Sequence, residues 1–194
     1  MDYRVGAGCP YPTIQSALDA VRARGEAGAV VRLAAGDYRE KPVLTIAGLT
    51  LIGPEAGEAR IVYGDSAHLL DDNGQPLTTF RTATVRVSAP DVTLANLTIE
   101  NDAGQGKLVE QAVALHIAGD RCKVANCRLL AHQDTLLIGP ETGTICDAYP
   151  CGRRAYLEHC LIRGNTDFIF GSYAAWFEGC TLRCVSQGQP VNAM

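Results

Sequence analysis

Four segments of the chain, VTLANLTIEN, CKVANCRLLA, AYLEHCLIRG and AWFEGCTLRC, superpose on Leu97, Cys127, Cys160 and Cys180, at steps of 30, 33 and 20 residues. A repeat of this size is too small to bury an apolar face alone and must stack on its neighbours. From Ala29 onward the chain consists of β-rich runs of three to six residues separated by Gly, Asn, Asp and Pro, the pattern of short strands joined by turns. Together these predict an all-β parallel solenoid, in which equivalent positions of successive coils lie about 4.8 Å apart. The shortest step approximates the bare coil, and the longer steps contain loops, with Asn101–Glu110 and Gly139–Arg153 as the polar, Gly-containing candidates. A Rossmann or α/β-barrel fold would need helices alternating with the strands. A β-sandwich, the nearest competitor, would show hairpin turns instead of a phase-locked repeat.

One segment departs from this pattern. After Pro12 and Thr13, the apolar residues Ile14, Ala17, Leu18 and Val21 follow helical spacing up to Gly25, which predicts a short amphipathic helix. At the start of a solenoid such a helix is expected to cap the open edge of the first coil.

The composition is that of a globular protein, with 47% hydrophobic and 20% charged residues. At 194 residues a single domain, 1–194, is expected. A net charge of −4, no basic run and 6% aromatics lack the electrostatic footprint of a nucleic-acid binder. No apolar run reaches the roughly 18–20 residues of a membrane span, and MDYRVGAGCPYP does not read as a secretory signal. The expectation is a cytoplasmic chain as given, or a secreted one if its true N-terminus lies upstream. With no signal, the eight cysteines are expected to be free thiols rather than a disulfide framework. The Cys122/Cys127 and Cys146/Cys151 spacings do not suggest a metal site. Cys127, Cys160 and Cys180 share the phase of the repeat and are expected to stack inside it, within the Cα range that a disulfide tolerates.

The same phase aligns two carboxylates. Asp134 lies seven residues after Cys127, and Asp167 seven residues after Cys160. Stacked in adjacent coils, the two cannot both ionise freely, so one keeps its proton and can donate it while the other attacks. The competing reading of each Asp alone is a turn former. Gln133 adjoins Asp134, and Gln111 lies 22 residues earlier, about one coil back. Their amides could face the same cleft as neutral donors to an oxyanion, or Gln111 could be a solvated loop residue. There is no GxSxG elbow, no His–Ser pairing among His68, His116, His132 and His159, and no phosphate-cradling Gly loop. His132 reads as a packed or solvated ring. A carboxylate nucleophile is the leading physical option.

Several blocks then resemble a known family. Gly36-Asp37-Tyr38-Arg39-Glu40, FRTATVRVSAPDVTLANLTIEN, QAVAL from Gln111, HQDTL from His132, and YLEHCLIRGNTDFIFG from Tyr156 to Gly171 are similar to successive signature blocks of the pectin methylesterases. The resemblance runs from PYPTIQSALDAV to WFEGCTL. It implies a right-handed parallel β-helix that hydrolyses methyl esters of galacturonate units in pectin, without metal or cofactor, and that is a monomer when full length. It further implies Asp167 as nucleophile, Asp134 as acid and then base, Gln111 and Gln133 as the oxyanion hole, and Phe170 lining the sugar groove.

Two features depart from the family pattern. Leu137 stands where the family has Tyr after QDTL. The family's catalytic Arg and companion Trp belong to a GRPW-like block beyond DFIFG, and no such block occurs in these 194 residues, so the domain is expected to be incomplete at its C-terminal side. Trp176, Arg153, Arg154 and Arg163 belong to other coils. The missing Arg favours a second reading, a non-catalytic β-helix or fragment that binds a polysaccharide. A lyase or glycosidase on the same architecture is a weaker third.

Overall fold

The computed structural model describes residues 2–142 and 152–186. The chain winds through coils that each lay one strand on up to three parallel sheets. It opens with β1 (Asp2–Val5) and α1 (Ile14–Arg24). The next coil is β2 (Val30–Leu33), β3 (Gly36–Tyr38) and β4 (Val43–Leu44), followed by β5 (Thr50–Ile52), β6 (Ala59–Tyr63) and β7 (Val85–Val87). Then come β8 (Thr93–Ala95), β9 (Thr98–Asn101), the single helical turn α2 (Gly106–Val109) and β10 (Leu115–Ile117). The last coils are β11 (Cys122–Ala125), β12 (Arg128–Leu130) and β13 (Leu136–Ile138); β14 (Arg154–Glu158), β15 (Leu161–Gly164) and β16 (Ile169–Gly171); and β17 (Ala174–Glu178) with β18 (Thr181–Cys184). The first sheet runs β1-β2-β5-β8-β11-β14-β17, the second β3-β6-β9-β12-β15-β18 and the third β4-β7-β10-β13-β16. This is a parallel β-helix, as the repeat predicts.

The register reproduces the sequence steps. Thr98 pairs with Arg128, Arg128 with Leu161, and Leu161 with Thr181. Between the β11–β13 and β14–β16 coils all three sheets share one offset, with Cys122 opposite Ala155, Arg128 opposite Leu161 and Leu136 opposite Ile169. The aligned column itself is a corner. Asn96, Asn126, His159 and Gly179 have φ of 55°, 52°, 51° and 59°, and each immediately precedes a member of the Leu97, Cys127, Cys160, Cys180 column. The left-handed residue turns the chain sharply from the first sheet to the second, a conformation that Asn and Gly reach at least cost.

The interior is a stack of apolar columns. Val31, Leu51, Leu94, Val124 and Leu157 line the first sheet, Ile61, Ile99, Leu129 and Ile162 the second, and Leu44, Val87, Ile117 and Ile138 the third, all buried. Each such side chain contributes about 1.5–3 kcal/mol on burial. Cys127 and Cys160 are buried in the corner stack, and the cysteines of the described residues, Cys180 included, are free. The Cys160 thiol and burial together push the Cys127 thiol well above its usual range. Cys146 and Cys151 lie outside the described residues, as does most of the Gly139–Arg153 loop.

Helix α1 buries Ile14, Ala17, Leu18 and Val21 and packs on β1 and β2. Thr13 Oγ1 accepts from Ser16 N–H at 3.1 Å, and Gly25 ends the helix at φ 64°. Glu40, far along the chain, also accepts from Ile14 and Gln15 N–H at 2.9 and 3.0 Å. Its carboxylate therefore satisfies amides that the helix start leaves unpaired. The GDYRE block is thus structural: Tyr38 Oη lies 2.8 Å from Ala34 O, and Arg39 pairs with Asp102 at 2.9 Å.

The longest excursion, between β6 and β7, includes a 3-10 turn at Thr79–Arg81. The buried amide of Asn101 holds it by donating to Asp65 O at 2.9 Å, Thr82 O at 3.2 Å and Val113 O at 3.1 Å. This anchoring brings Phe80 over the third sheet.

Candidate active site

Asp134 N–H donates to Thr166 O and Leu136 N–H to Phe168 O, each at 3.0 Å. In a parallel ladder this sets Asp134 level with Asp167, about 4.8 Å away along the hydrogen-bonding direction. Both occupy the left-handed region, with φ of 65° and 44°, so the two turns entering β13 and β16 superpose. Their environments differ sharply. Asp134 is only 5% exposed, whereas Asp167 faces solvent. Burial, and secondarily the charge of Asp167, push the Asp134 carboxyl up to about 7. One member of the pair therefore keeps a transferable proton near neutrality.

The two glutamines also fall on one level. Ala112 N–H donates to Gln133 O at 3.2 Å, while Ala114 and Leu115 both donate to Thr135 O, at 3.0 and 3.1 Å. The doubled donation shifts the register by one between β10 and the residues before it, which brings Gln111 opposite Gln133. Gly106 makes room for the second amide, since a Cβ there would lie 2.6 Å from both Gln133 Cβ and Oε1. Gln111 Nε2 donates to Glu110 Oε2 at 3.4 Å, a contact that ligand binding would have to exchange.

An apolar wall completes the site. Phe170 pairs with Leu137 in register, and both belong to a small cluster with Ala83, Val113 and Phe80. Leu137 is buried there. Gly171 closes the motif because its φ is 139° and a Cβ would lie 1.9 Å from Ile138 O. Phe80 is the site residue that motif reading did not single out. In the sequence it is only the first residue of the FRTATVRVSAPDVTLANLTIEN block, and the Asn101 contacts that hold its excursion are long-range.

The remaining candidates lie elsewhere. His132 is buried, and burial, then Arg163, push its ring below the usual histidine range, so it is a packed neutral ring. Arg163 is buried, and its backbone carbonyl accepts from Thr135 Oγ1 at 2.9 Å. Arg153 donates to Ala118 O at 2.6 Å, and Arg154 N–H donates to Asp120 Oδ1 at 2.8 Å. Trp176, 67% exposed, stands on the first sheet, away from the carboxylates. Among the described residues no group of three His, Cys, Asp or Glu is placed to hold a metal.

The fold and site define a parallel β-helix with two carboxylates level on adjacent turns, beside a cluster that includes Phe80 and Phe170. The pectinesterase family model matches residues 5–193, and the chain belongs to the pectinesterase family. It is 32% identical over 189 residues to Pectinesterase 31 of Arabidopsis thaliana, covering 92% of this chain and 54% of that protein. It is 33% identical to a pectinesterase of Ralstonia nicotianae, covering 89% and 47%. Among solved structures it resembles a pectin methylesterase in complex with a hexasaccharide (TM-score 0.76, 28% identity, 91% of this chain and 53% of that one). It also resembles pectin methylesterase PemA from Erwinia chrysanthemi (0.73, 29%, 91% and 53%). The chain spans about half the length of these relatives.

Proposed function

We propose that the site hydrolyses methyl esters of galacturonate units in pectin or pectin-derived oligomers. The observation that carries this reading is the stacked pair, one carboxyl exposed at Asp167 and one buried at Asp134 and pushed up to about 7. A pectin methylesterase of like fold was crystallised with a hexasaccharide, which supports a sugar chain as the occupant of the groove.

In this mechanism the Asp167 carboxylate attacks the ester carbonyl, and the resulting oxyanion accepts from the amides of Gln111 and Gln133. Collapse breaks the bond to the methoxy oxygen, which leaves as methanol with the Asp134 proton. A mixed anhydride then joins Asp167 to the sugar. The Asp134 carboxylate takes a proton from water as that water attacks the sugar carbonyl, freeing Asp167 and a galacturonate, with Asp134 protonated for the next cycle.

Gln133→Ala tests the oxyanion role. It should lower kcat for methanol release about a hundredfold with KM nearly constant, because the donor is needed as charge develops. A rise confined to KM would make Gln133 a ground-state contact. A second reading is sugar binding without turnover at the same solvent-facing Asp167. Oligogalacturonate binding with no methanol release would select it.

A further inference from the structure

Gln111 is held by its backbone and hardly at all by its side chain. Among the described residues its amide makes one contact, long and exposed, to Glu110 Oε2 at 3.4 Å, so the path of the chain into and out of the residue decides where that amide stands. The path in is strained. Glu110 has φ 65° and ψ −145°, a region that residues other than Gly seldom occupy and that persists only where the surroundings impose it. The excursion before β7 carries a second such residue, Thr78, at φ 57° and ψ 166°. Thr78 N–H donates to Ala67 O at 3.0 Å and Ala67 N–H to Gln111 O at 2.9 Å, so the two strained segments meet at Gln111.

A buried pair imposes both conformations. Asn101 is 1% exposed and Thr82 0%. Thr82 Oγ1 accepts from Val113 N–H at 3.1 Å, and Asn101 Nδ2 donates to Val113 O at 3.1 Å, so both backbone groups of Val113, just past Gln111, end on the pair. Thr82 Oγ1 also donates to Thr79 O at 2.9 Å. Asn101 Nδ2 reaches Asp65 O and Thr82 O in the excursion, and Asn101 Oδ1 accepts from Ala103 N–H at 3.0 Å, at the start of the loop that ends in Glu110. One side chain thus spans that loop from end to end and ties it to the excursion. A buried amide with both polar atoms used is a rigid element, and Asp, which has no donor when ionised, cannot make the same bonds.

We infer that Asn101 and Thr82 form a clamp that positions Gln111, fixing the strained backbone on either side of it and so setting the point from which its amide meets the oxyanion. The oxyanion part of this inference rests on the esterase reading. Asn101 and Thr82 are positioning residues: they act through Gln111 and not on the substrate.

The test is a double-mutant cycle. The kcat and KM for methanol release from esterified oligogalacturonate are measured for the chain, for Asn101→Asp, for Thr82→Val, which keeps the side chain's shape, for Gln111→Ala, and for each clamp variant combined with Gln111→Ala. Each clamp variant should lower kcat about tenfold with KM nearly constant, a part of the roughly hundredfold that loss of one oxyanion donor costs. In the Gln111→Ala background the same changes should cost less than about twofold, because the donor they act through is already gone. Equal costs in both backgrounds would make the pair purely structural and overturn the inference. Should Asn101→Asp fail to fold, the Thr82→Val cycle decides on the same two outcomes. A second readout needs no turnover. In the 15N-labelled chain without substrate, the Gln111 side-chain amide signal, identified by its loss in Gln111→Ala, should move in the clamp variants, while that of Asn126, at the corner between the first and second sheets, stays in place. An unmoved Gln111 signal would overturn the positioning. If the unsubstituted chain releases no methanol, the esterase reading fails and this signal alone decides the positioning; if methanol is released and the costs are equal in both backgrounds, the positioning fails and the esterase reading stands.

Discussion

Asp167→Asn abolishes methanol release from esterified oligogalacturonate and leaves the thermal unfolding of the chain nearly unchanged. The catalytic half of this expectation follows from chemistry, because an amide cannot form the acyl intermediate that divides the hydrolysis into two steps. The structural half follows from the backbone. Asp167 has φ 44° and faces solvent, and Asn is among the few residues that tolerate the left-handed region well, so the turn into β16 should keep its shape. Circular dichroism and methanol assays on the same preparation check both halves. Turnover near that of the unsubstituted chain would remove Asp167 from the nucleophile role.

The Asp134→Asn variant should lose about 10²–10⁴ in rate, the usual contribution of a positioned acid and base, in both formation and breakdown of the acyl intermediate. A methanol burst followed by a stall would restrict the group to the second step. The variant also has a distinct pH signature. Asp134 sits at about 7 in the fold against 3.8 for the free side chain, so the native state holds the proton more tightly than the unfolded chain. Its stabilising contribution is therefore fully present below 3.8 and is lost as pH rises through about 7, an effect of a few kcal/mol at roughly 1.4 kcal/mol per unit. Asn does not titrate. Urea unfolding at pH 4 and pH 8 should thus show the variant gaining stability relative to the unsubstituted chain at the higher pH. A difference that does not change with pH would mean that Asp134 is not held protonated by its surroundings.

The parts of this structure legible in the sequence are those written in local or periodic terms. The corner column at Leu97, Cys127, Cys160 and Cys180 could be read because each coil must turn at the same place, and the stripe Ile14, Ala17, Leu18 and Val21 because one helical face must cover the first coil. The alignment of Asp134 with Asp167 followed from the same phase, and the structure places them level. What the sequence did not disclose depends on contacts between distant residues. Glu40 capping α1, Asn101 holding the excursion before β7, and Phe80 joining Leu137 and Phe170 each link segments with no shared period. The register shift at Ala114 and Leu115 that levels Gln111 with Gln133 is likewise a property of the ladder, visible in the sequence only as a spacing of 22.

The central claim is that a single acyl intermediate on Asp167 precedes hydrolysis, and its most direct test is partitioning between water and hydroxylamine. Methyl and ethyl esters of the same oligogalacturonate are hydrolysed by the chain in the presence of hydroxylamine, and the hydroxamate and free acid are quantified. If both esters pass through one intermediate from which the alcohol has already left, the ratio of hydroxamate to acid must be the same for both. A ratio that changes with the leaving alcohol would mean that the nucleophile meets the intact ester directly, and the account of Asp167 would be wrong.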